Sequence, residues 1–311
     1  MAAVATPSAA LPAFHSTATT TNSITQIQTQ TQTQTQSPAS LPVTTIPRGA
    51  TSTELTYYAP PADGSAPYNV VDPLPGQRQM NYRTTTLPVT IHDARGQESS
   101  FSTDKQGFAL LHTDVHQEFD FSSDEQIQKS YYPTVEKLLL ENLPGNPTQV
   151  VFFDHTVRRA DPGAKRGPVQ RVHIDQTAKS AAQRVRRHLG DQAEELLQGR
   201  VRIVNVWRPL NGPVVSSPLA MAASDSVAEE EVVAVEHRYR DKTGETAGIK
   251  PSERHQWYYW SGMGNQERIL LQCYDSLSQK RVPHTAFQDP RTAGPEWRAR
   301  ESIEVRALVF G

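Results

Sequence analysis

The sequence predicts a mainly β protein with flanking helices, built as a double-sheet jelly roll of the cupin kind. Three observations carry this. From Arg200 to the end, short apolar runs alternate with Gly, Pro, Asp and Ser turn signals, the pattern of a sandwich or barrel. Only two stretches, Asp124 to Glu141 and Ala178 to about Leu197, have helical spacing. A His-x-Asp pair, His173 and Asp175, lies inside a short β-type run, and a jelly roll is among the few all-β designs that host a metal in the mouth.

Composition narrows the setting. The chain has 311 residues, 36 % of them hydrophobic, and the apolar deficit lies at the start. From Met1 to Pro47 there is no Lys, Arg, Asp or Glu, and a Thr-Gln repeat runs from Thr29 to Gln36. Such a segment cannot bury enough apolar surface to offset its ordering entropy. Residues 1–50 are therefore expected to be a disordered tail, and 51–311 one domain with its core from about 150 to 311. A net charge of −2 argues for neither a nucleic-acid nor a membrane-surface partner. No apolar run approaches the roughly 20 residues of a membrane span, and the start lacks a basic n-region. The single cysteine, Cys273, excludes an internal disulfide and a cysteine-rich zinc site, which fits a reducing compartment. The expectation is a cytoplasmic protein that acts on a small molecule, with strand edges that leave a homo- or heterodimer open.

Order is expected from Glu54-Leu-Thr-Tyr-Tyr58. Thr86 to His92 reads as a strand closed by a turn at Asp93-Ala-Arg-Gly96, and Gly107 to His112 as a short apolar run. Ile127, Tyr131, Val135, Leu138 and Leu139 give the first helix, ended by Pro144-Gly145; Gln149 to Asp154 returns to strand. The second helix is interrupted at Gly190, and its Arg184, Arg186 and Arg187 read as a solvated face. Strands follow at Val201–Arg208, Glu231–Tyr239, Gln256–Trp260, Arg268–Tyr274, Val282–Phe287 and Ser302–Phe310, with a turn at Asp241-Lys-Thr-Gly244.

On a strand, side chains two apart share a face, so His173 and Asp175 can share a metal ion. A second His-x-acid pair, His112 and Asp114 followed by His116, is expected on the surface. His284, on the next-to-last strand, can complete the site by facing His173 and Asp175 across the jelly roll. Two His and one carboxylate suit non-haem Fe(II), with positions left open for oxygen chemistry. Two of these positions can take the keto and carboxylate oxygens of a 2-oxo acid. Its second carboxylate calls for a planar guanidinium. Arg300, Ser302, Glu304 and Arg306 share one face of the closing strand, and Ile303, Val305, Ala307 and Val309 the other. Arg300 with Ser302 would clamp that carboxylate, and Arg306 could hold substrate or take over the clamp. Asn205 and Trp207 share a face; the Asn could line the pocket, whereas a Trp is more often core. A metal-dependent hydrolase or a cupin-type isomerase could use the same three ligands, and a non-catalytic subunit of a larger oxygenase also stays open.

The order His173-Ile-Asp175, His284, Arg300-Glu-Ser302 resembles the His-x-Asp … His … Arg-x-Ser pattern of Fe(II)/2-oxoglutarate-dependent oxygenases. Several blocks resemble, more closely, the AsaB-type hydroxylase/desaturase family of fungal secondary metabolism, which is related to the protein of cephamycin methoxylation and to gibberellin desaturase-like proteins. These blocks are Phe153-Asp-His-Thr-Val-Arg-Arg159, Val172-His-Ile-Asp-Gln-Thr177, Asn205-Val-Trp-Arg-Pro-Leu210, Trp257-Tyr-Tyr-Trp-Ser-Gly-Met263, Pro283-His-Thr-Ala-Phe287 and Arg300-Glu-Ser-Ile-Glu-Val-Arg306. The resemblance implies a distorted double-stranded β-helix. It also implies Fe(II), 2-oxoglutarate and dioxygen, with ascorbate as a candidate reductant, and hydroxylation or desaturation of a natural product.

Overall fold

A computed structural model describes residues 45–114, 118–160 and 166–311; the expectation of a disordered tail falls, for residues 1–44, outside the described residues, as does His116. Irregular chain from 45 to 50 is held down: Arg48 donates to the Ser261 hydroxyl (3.0 Å) and the Gly49 amide to Asp93 (2.8 Å). The first strand then begins at Thr51, three residues before the expected start.

In chain order the elements are β1 (Thr51–Ala59), β2 (Tyr68–Val70), β3 (Arg83–Asp93) and β4 (Phe108–His112), then α1 (Asp124–Gln126), a π turn (Ile127–Tyr131) and α2 (Tyr132–Asn142). Next come β5 (Gln149–Arg159), β6 (His173–Ile174), α3 (Ala178–Leu189) and α4 (Ala193–Leu196). β7 (Val201–Pro209), β8 (Leu219–Ala222), β9 (Val232–Arg238), β10 (Thr243–Ile249), β11 (Trp257–Tyr259), β12 (Glu267–Asp275), β13 (His284–Ala286) and β14 (Glu301–Phe310) complete the chain. They form two sheets, one ordered β1-β3-β11-β8-β13-β6-β10-β9-β2 and the other β4-β12-β7-β14-β5.

Alternation along β14 shows how the layers are built. Ile303, Val305, Ala307 and Val309 pack outward with Val135 and Leu139 of α2. Leu308 and Phe310 point the other way, into a core shared with Ile174, Met221 and Trp257 of the larger sheet. A buried aliphatic side chain contributes about 1.5–3 kcal/mol, so both faces of this strand hold the sandwich together. Ser302, Glu304 and Arg306 share the inward face, near the open end, where polar groups replace aliphatic ones.

Three strands escape the sequence pattern. β8 is Leu-Ala-Met-Ala, buried throughout and so without alternation. β10 carries two glycines and begins at Thr243, inside the expected turn. Gly248 is required by packing: a Cβ there would lie 3.0 Å from the Cβ of Tyr58. β2 is three residues long. Helix α3 starts at Ala178 as expected, and the expected interruption at Gly190 divides it from α4. The Thr177 side chain caps the Ser180 amide while Ser180 returns a bond to the Thr177 amide, and Gly190, with φ 52°, ends it. Arg186 pairs with Glu194 at 2.6 Å on the solvated side, whereas Arg184 folds inward over Phe153, 4.3 Å from the ring centre.

Candidate metal centre

Strand β6 lies between β13 and β10, and His173 is the direct cross-strand partner of His284. The two imidazoles are therefore neighbours in one sheet, not residues facing each other across the jelly roll as the sequence suggested. Two histidines 111 residues apart in sequence have become adjacent through the crossovers of the fold. Their ring centres are 4.5 Å apart. Asp175 follows β6 and turns toward the smaller sheet. One donor atom from each of His173, Asp175 and His284 falls within 4.8 Å of the others.

The hydrogen bonds fix which ring nitrogens face the centre. His173 Nδ1 lies 2.8 Å from the Arg171 carbonyl and His284 Nδ1 3.1 Å from that of Val282. A carbonyl only accepts, so both Nδ1 atoms carry the proton and both Nε2 atoms present lone pairs. His173 Nε2 then lies 3.2 Å from Asp175 Oδ1, a contact that a shared proton or a metal cation between the two atoms makes favourable. Two neutral imidazoles and one carboxylate are a donor set that fits Fe(II).

Asp175 is held from the smaller sheet. Asn205 of β7 donates to its Oδ2 at 2.8 Å and Arg306 of β14 at 3.2 Å. Arg306 also grips Asp154 of β5 through Nε (2.6 Å) and Nη2 (3.0 Å). Burial raises the Asp175 carboxyl, but His173 and the Arg306 guanidinium more than reverse this and hold it well below the usual carboxylate range. Asn205 and Arg306, expected beside the co-substrate, are thus committed to the carboxylate. Asn205→Ala should weaken iron binding by about 10- to 100-fold, read by iron titration, and should leave the 2-oxoglutarate KM at saturating iron unchanged. Wild-type iron affinity would show that this hydrogen bond does not position Asp175.

Arg300 is placed differently. It is 3 % exposed, and its Nη1 donates to the Ser217 carbonyl at 2.6 Å, while its buried Nε has no partner among the described residues. Burial, then Arg158, pushes its pKa down to about 9. It lines the same cavity as His173, Asp175 and His284, together with Trp207, Arg158 and Glu304. Trp207 lies in the core, as expected, and its ring also lines this cavity, with the Arg300 guanidinium carbon 5.4 Å from its centre. Ser302 shares the inward face at 1 % exposure. Arg158 and Glu304 were not picked out by sequence reasoning as site residues. Ser302 pairs with Arg158 in the β5–β14 ladder, so strand parity alone aims Arg158 inward once β5 is extended to Arg159. Burial and then Asp175 push the Glu304 carboxyl up.

About 30 Å³ of space remains in this cavity, room for little more than a water. Admitting a five-carbon diacid requires lining side chains to part. Arg158, whose only hydrogen bond among the described residues runs to the Gly167 carbonyl at 3.1 Å, is the wall with least to lose. His237 stays outside: it faces Thr246 Oγ1 at 3.0 Å. His155 lies between the Tyr132 hydroxyl and Asp124, and His112 packs edge-on against Trp260.

Comparison with known proteins agrees with this geometry. A family model described as oxidoreductase/YMDC permease-like domain matches residues 55–310. The hydroxylase/desaturase poxK of Penicillium oxalicum is 34 % identical over 278 residues, spanning 76 % of this chain and 83 % of that protein. The Fe(II)/2-oxoglutarate-dependent dioxygenase nvfI of Aspergillus novofumigatus is 33 % identical over 256 residues, 78 % of this chain and 90 % of its own. The chain belongs to this Fe(II)/2-oxoglutarate-dependent hydroxylase/desaturase family. A solved variant of the iron and alpha-ketoglutarate-dependent endoperoxidase NvfI superposes with a TM-score of 0.78 at 29 % identity, over 86 % of this chain and 99 % of that one. The family is one of oxidoreductases, which favours the oxygenase over the hydrolase, isomerase and non-catalytic readings. Among the described residues no helix is long and apolar enough to cross a membrane.

The buried imidazoles make the metal-free fold sensitive to acid. Burial first, with neighbouring cationic groups adding, pushes His284 and His237 down to about 4, against about 6.5 in an unfolded chain. Below pH 6.5 the unfolded state therefore takes up protons that the folded state refuses until about pH 4. Stability is complete above this window and lost as the pH falls through it. The Tm of metal-free protein should fall steadily from pH 7 to pH 4.5; a flat profile would place both rings in solvent.

Proposed function

We propose that this chain hydroxylates or desaturates a small-molecule natural product of fungal secondary metabolism, with His173, Asp175 and His284 as iron ligands. Arg300 anchors the distal carboxylate of 2-oxoglutarate, and Ser302 adds a hydroxyl beside it. Asn205 and Arg306 orient Asp175. Bound together, Fe(II), 2-oxoglutarate and dioxygen supply an oxidant that removes hydrogen from an unactivated carbon, with 2-oxoglutarate ending as succinate and carbon dioxide. The protein's own part is placement and exclusion of water: the carbonyls of Arg171 and Val282 set both imidazole tautomers, and Trp207 walls the cavity.

One observation carries the reading. Three donor atoms turned toward one another share a cavity with a buried guanidinium that has no carboxylate partner among the described residues. NvfI, an endoperoxidase, adds endoperoxidation to the outcomes such a site can support; the substrate's position relative to the iron selects among them. The test needs no substrate. Iron(II) and 2-oxoglutarate, added anaerobically to wild-type protein, should give the weak visible charge-transfer band of the chelate, and His284→Ala should abolish it. A folded, iron-loaded wild type without the band would defeat the proposal.

A further inference from the structure

Two arginines stand side by side on the outer face of the five-stranded sheet, away from the metal centre. Ile269 of β12 pairs with Trp207 of β7, so Arg268 and Arg208, one residue further along each strand, are opposite one another. Both share the face of Val206 and Leu270, which pack with α2. Arg208 is 7 % exposed and Arg268 2 %. Arg268 donates through Nη1 to the carbonyls of Asn265 (2.7 Å) and Glu267 (2.9 Å). Among the described residues, its Nη2, Nε and Nη1 of Arg208, and the buried Tyr131 hydroxyl have no hydrogen-bond partner.

Like charges directly opposite on neighbouring strands repel, and a buried cation without a counter-charge is strongly destabilising. Burial pushes Arg268 down to about 10; the Tyr131 hydroxyl beside it works in the opposite direction, and Arg208 adds to the fall. The adjacent carboxylate, Glu267, is already held by Arg95 (3.0 Å). The rings of Phe119, Phe121 and Tyr131 stand 5.2–5.4 Å from the Arg208 guanidinium carbon, packing around that side chain without supplying a counter-charge. We infer that Arg208, Arg268 and Tyr131 form a binding site for a small oxyanion, a carboxylate or a phosphate, separate from the metal centre. Planar guanidinium forks suit either group, and a phenol adds a neutral donor. One bound anion would cancel the repulsion between the strands and satisfy the stranded N–H groups together.

The test is thermal unfolding of the full chain in sodium phosphate and in sodium succinate, each against sodium chloride at matched ionic strength and pH. A fitting oxyanion should raise Tm by about 3 °C or more at saturation. This rise should persist in Arg300→Gln, where the proposed co-substrate anchor is gone, and vanish in Arg208→Gln. Arg268→Gln repeats the test should Arg208→Gln fail to fold. A rise with phosphate alone identifies a phosphate site, and one with succinate alone a carboxylate site. No rise above chloride in the wild type overturns the inference. So does a rise lost in Arg300→Gln but kept in Arg208→Gln, which would assign the binding to the co-substrate pocket.

Discussion

Asp175→Asn is expected to reduce turnover by at least about 10³-fold while leaving the protein folded. Asp175 is the one charged donor of the three, and without it two neutral imidazoles must hold a dication alone. The asparagine oxygen can still accept from Asn205 and from Arg306, which keep their places at 2.8 and 3.2 Å from the native carboxylate. The change therefore removes charge without removing shape. Metal analysis after dialysis, beside a turnover assay, separates the two effects. Wild-type iron content with wild-type turnover would remove Asp175 from the site.

Arg300→Gln should raise the 2-oxoglutarate KM by about 100-fold, the value of one strong charged hydrogen-bond pair lost in a buried setting. Iron affinity should be unaffected, because Arg300 touches none of the three ligands. Arg306→Gln is expected to behave differently. It strips a guanidinium from two carboxylates, the half-exposed Asp154 and the buried Asp175, and breaking the buried one of these pairs costs up to about 3–5 kcal/mol. Its signature is a lower Tm and weaker iron retention. An unchanged co-substrate requirement in Arg300→Gln, with a large one in Arg306→Gln, would transfer the anchor to Arg306.

How far these roles could be read from the sequence differs by residue. The faces of β14 follow from alternation alone, so the inward set of Ser302, Glu304 and Arg306 was legible before any coordinates. The grouping of His173 with Asp175 rests on the same period. Adjacency of His284 was legible only as membership of one site, since strand order in a sheet is set by long-range crossovers that local pattern does not encode. Nor does residue type divide the arginines. Arg300, Arg306 and Arg158 look alike in sequence, and what distinguishes them is whether a carboxylate lies within reach. β8 and β10 were missed because a strand buried on both faces has no alternation to detect and glycines lower β propensity.

The carboxylate of Asp175 belongs by sequence to the larger sheet, yet two of its hydrogen bonds come from β7 and β14 of the smaller one. A cation held by Asp175 with His173 and His284, as proposed, would therefore bear on the residue whose hydrogen bonds tie the two sheets together. Binding and folding then draw on one free energy: each tenfold rise in free iron above its dissociation constant adds about 1.4 kcal/mol to the stability of the whole domain. With iron so bound, the folded fraction of this protein would depend on metal supply, and a chelator would act on it as a mild denaturant.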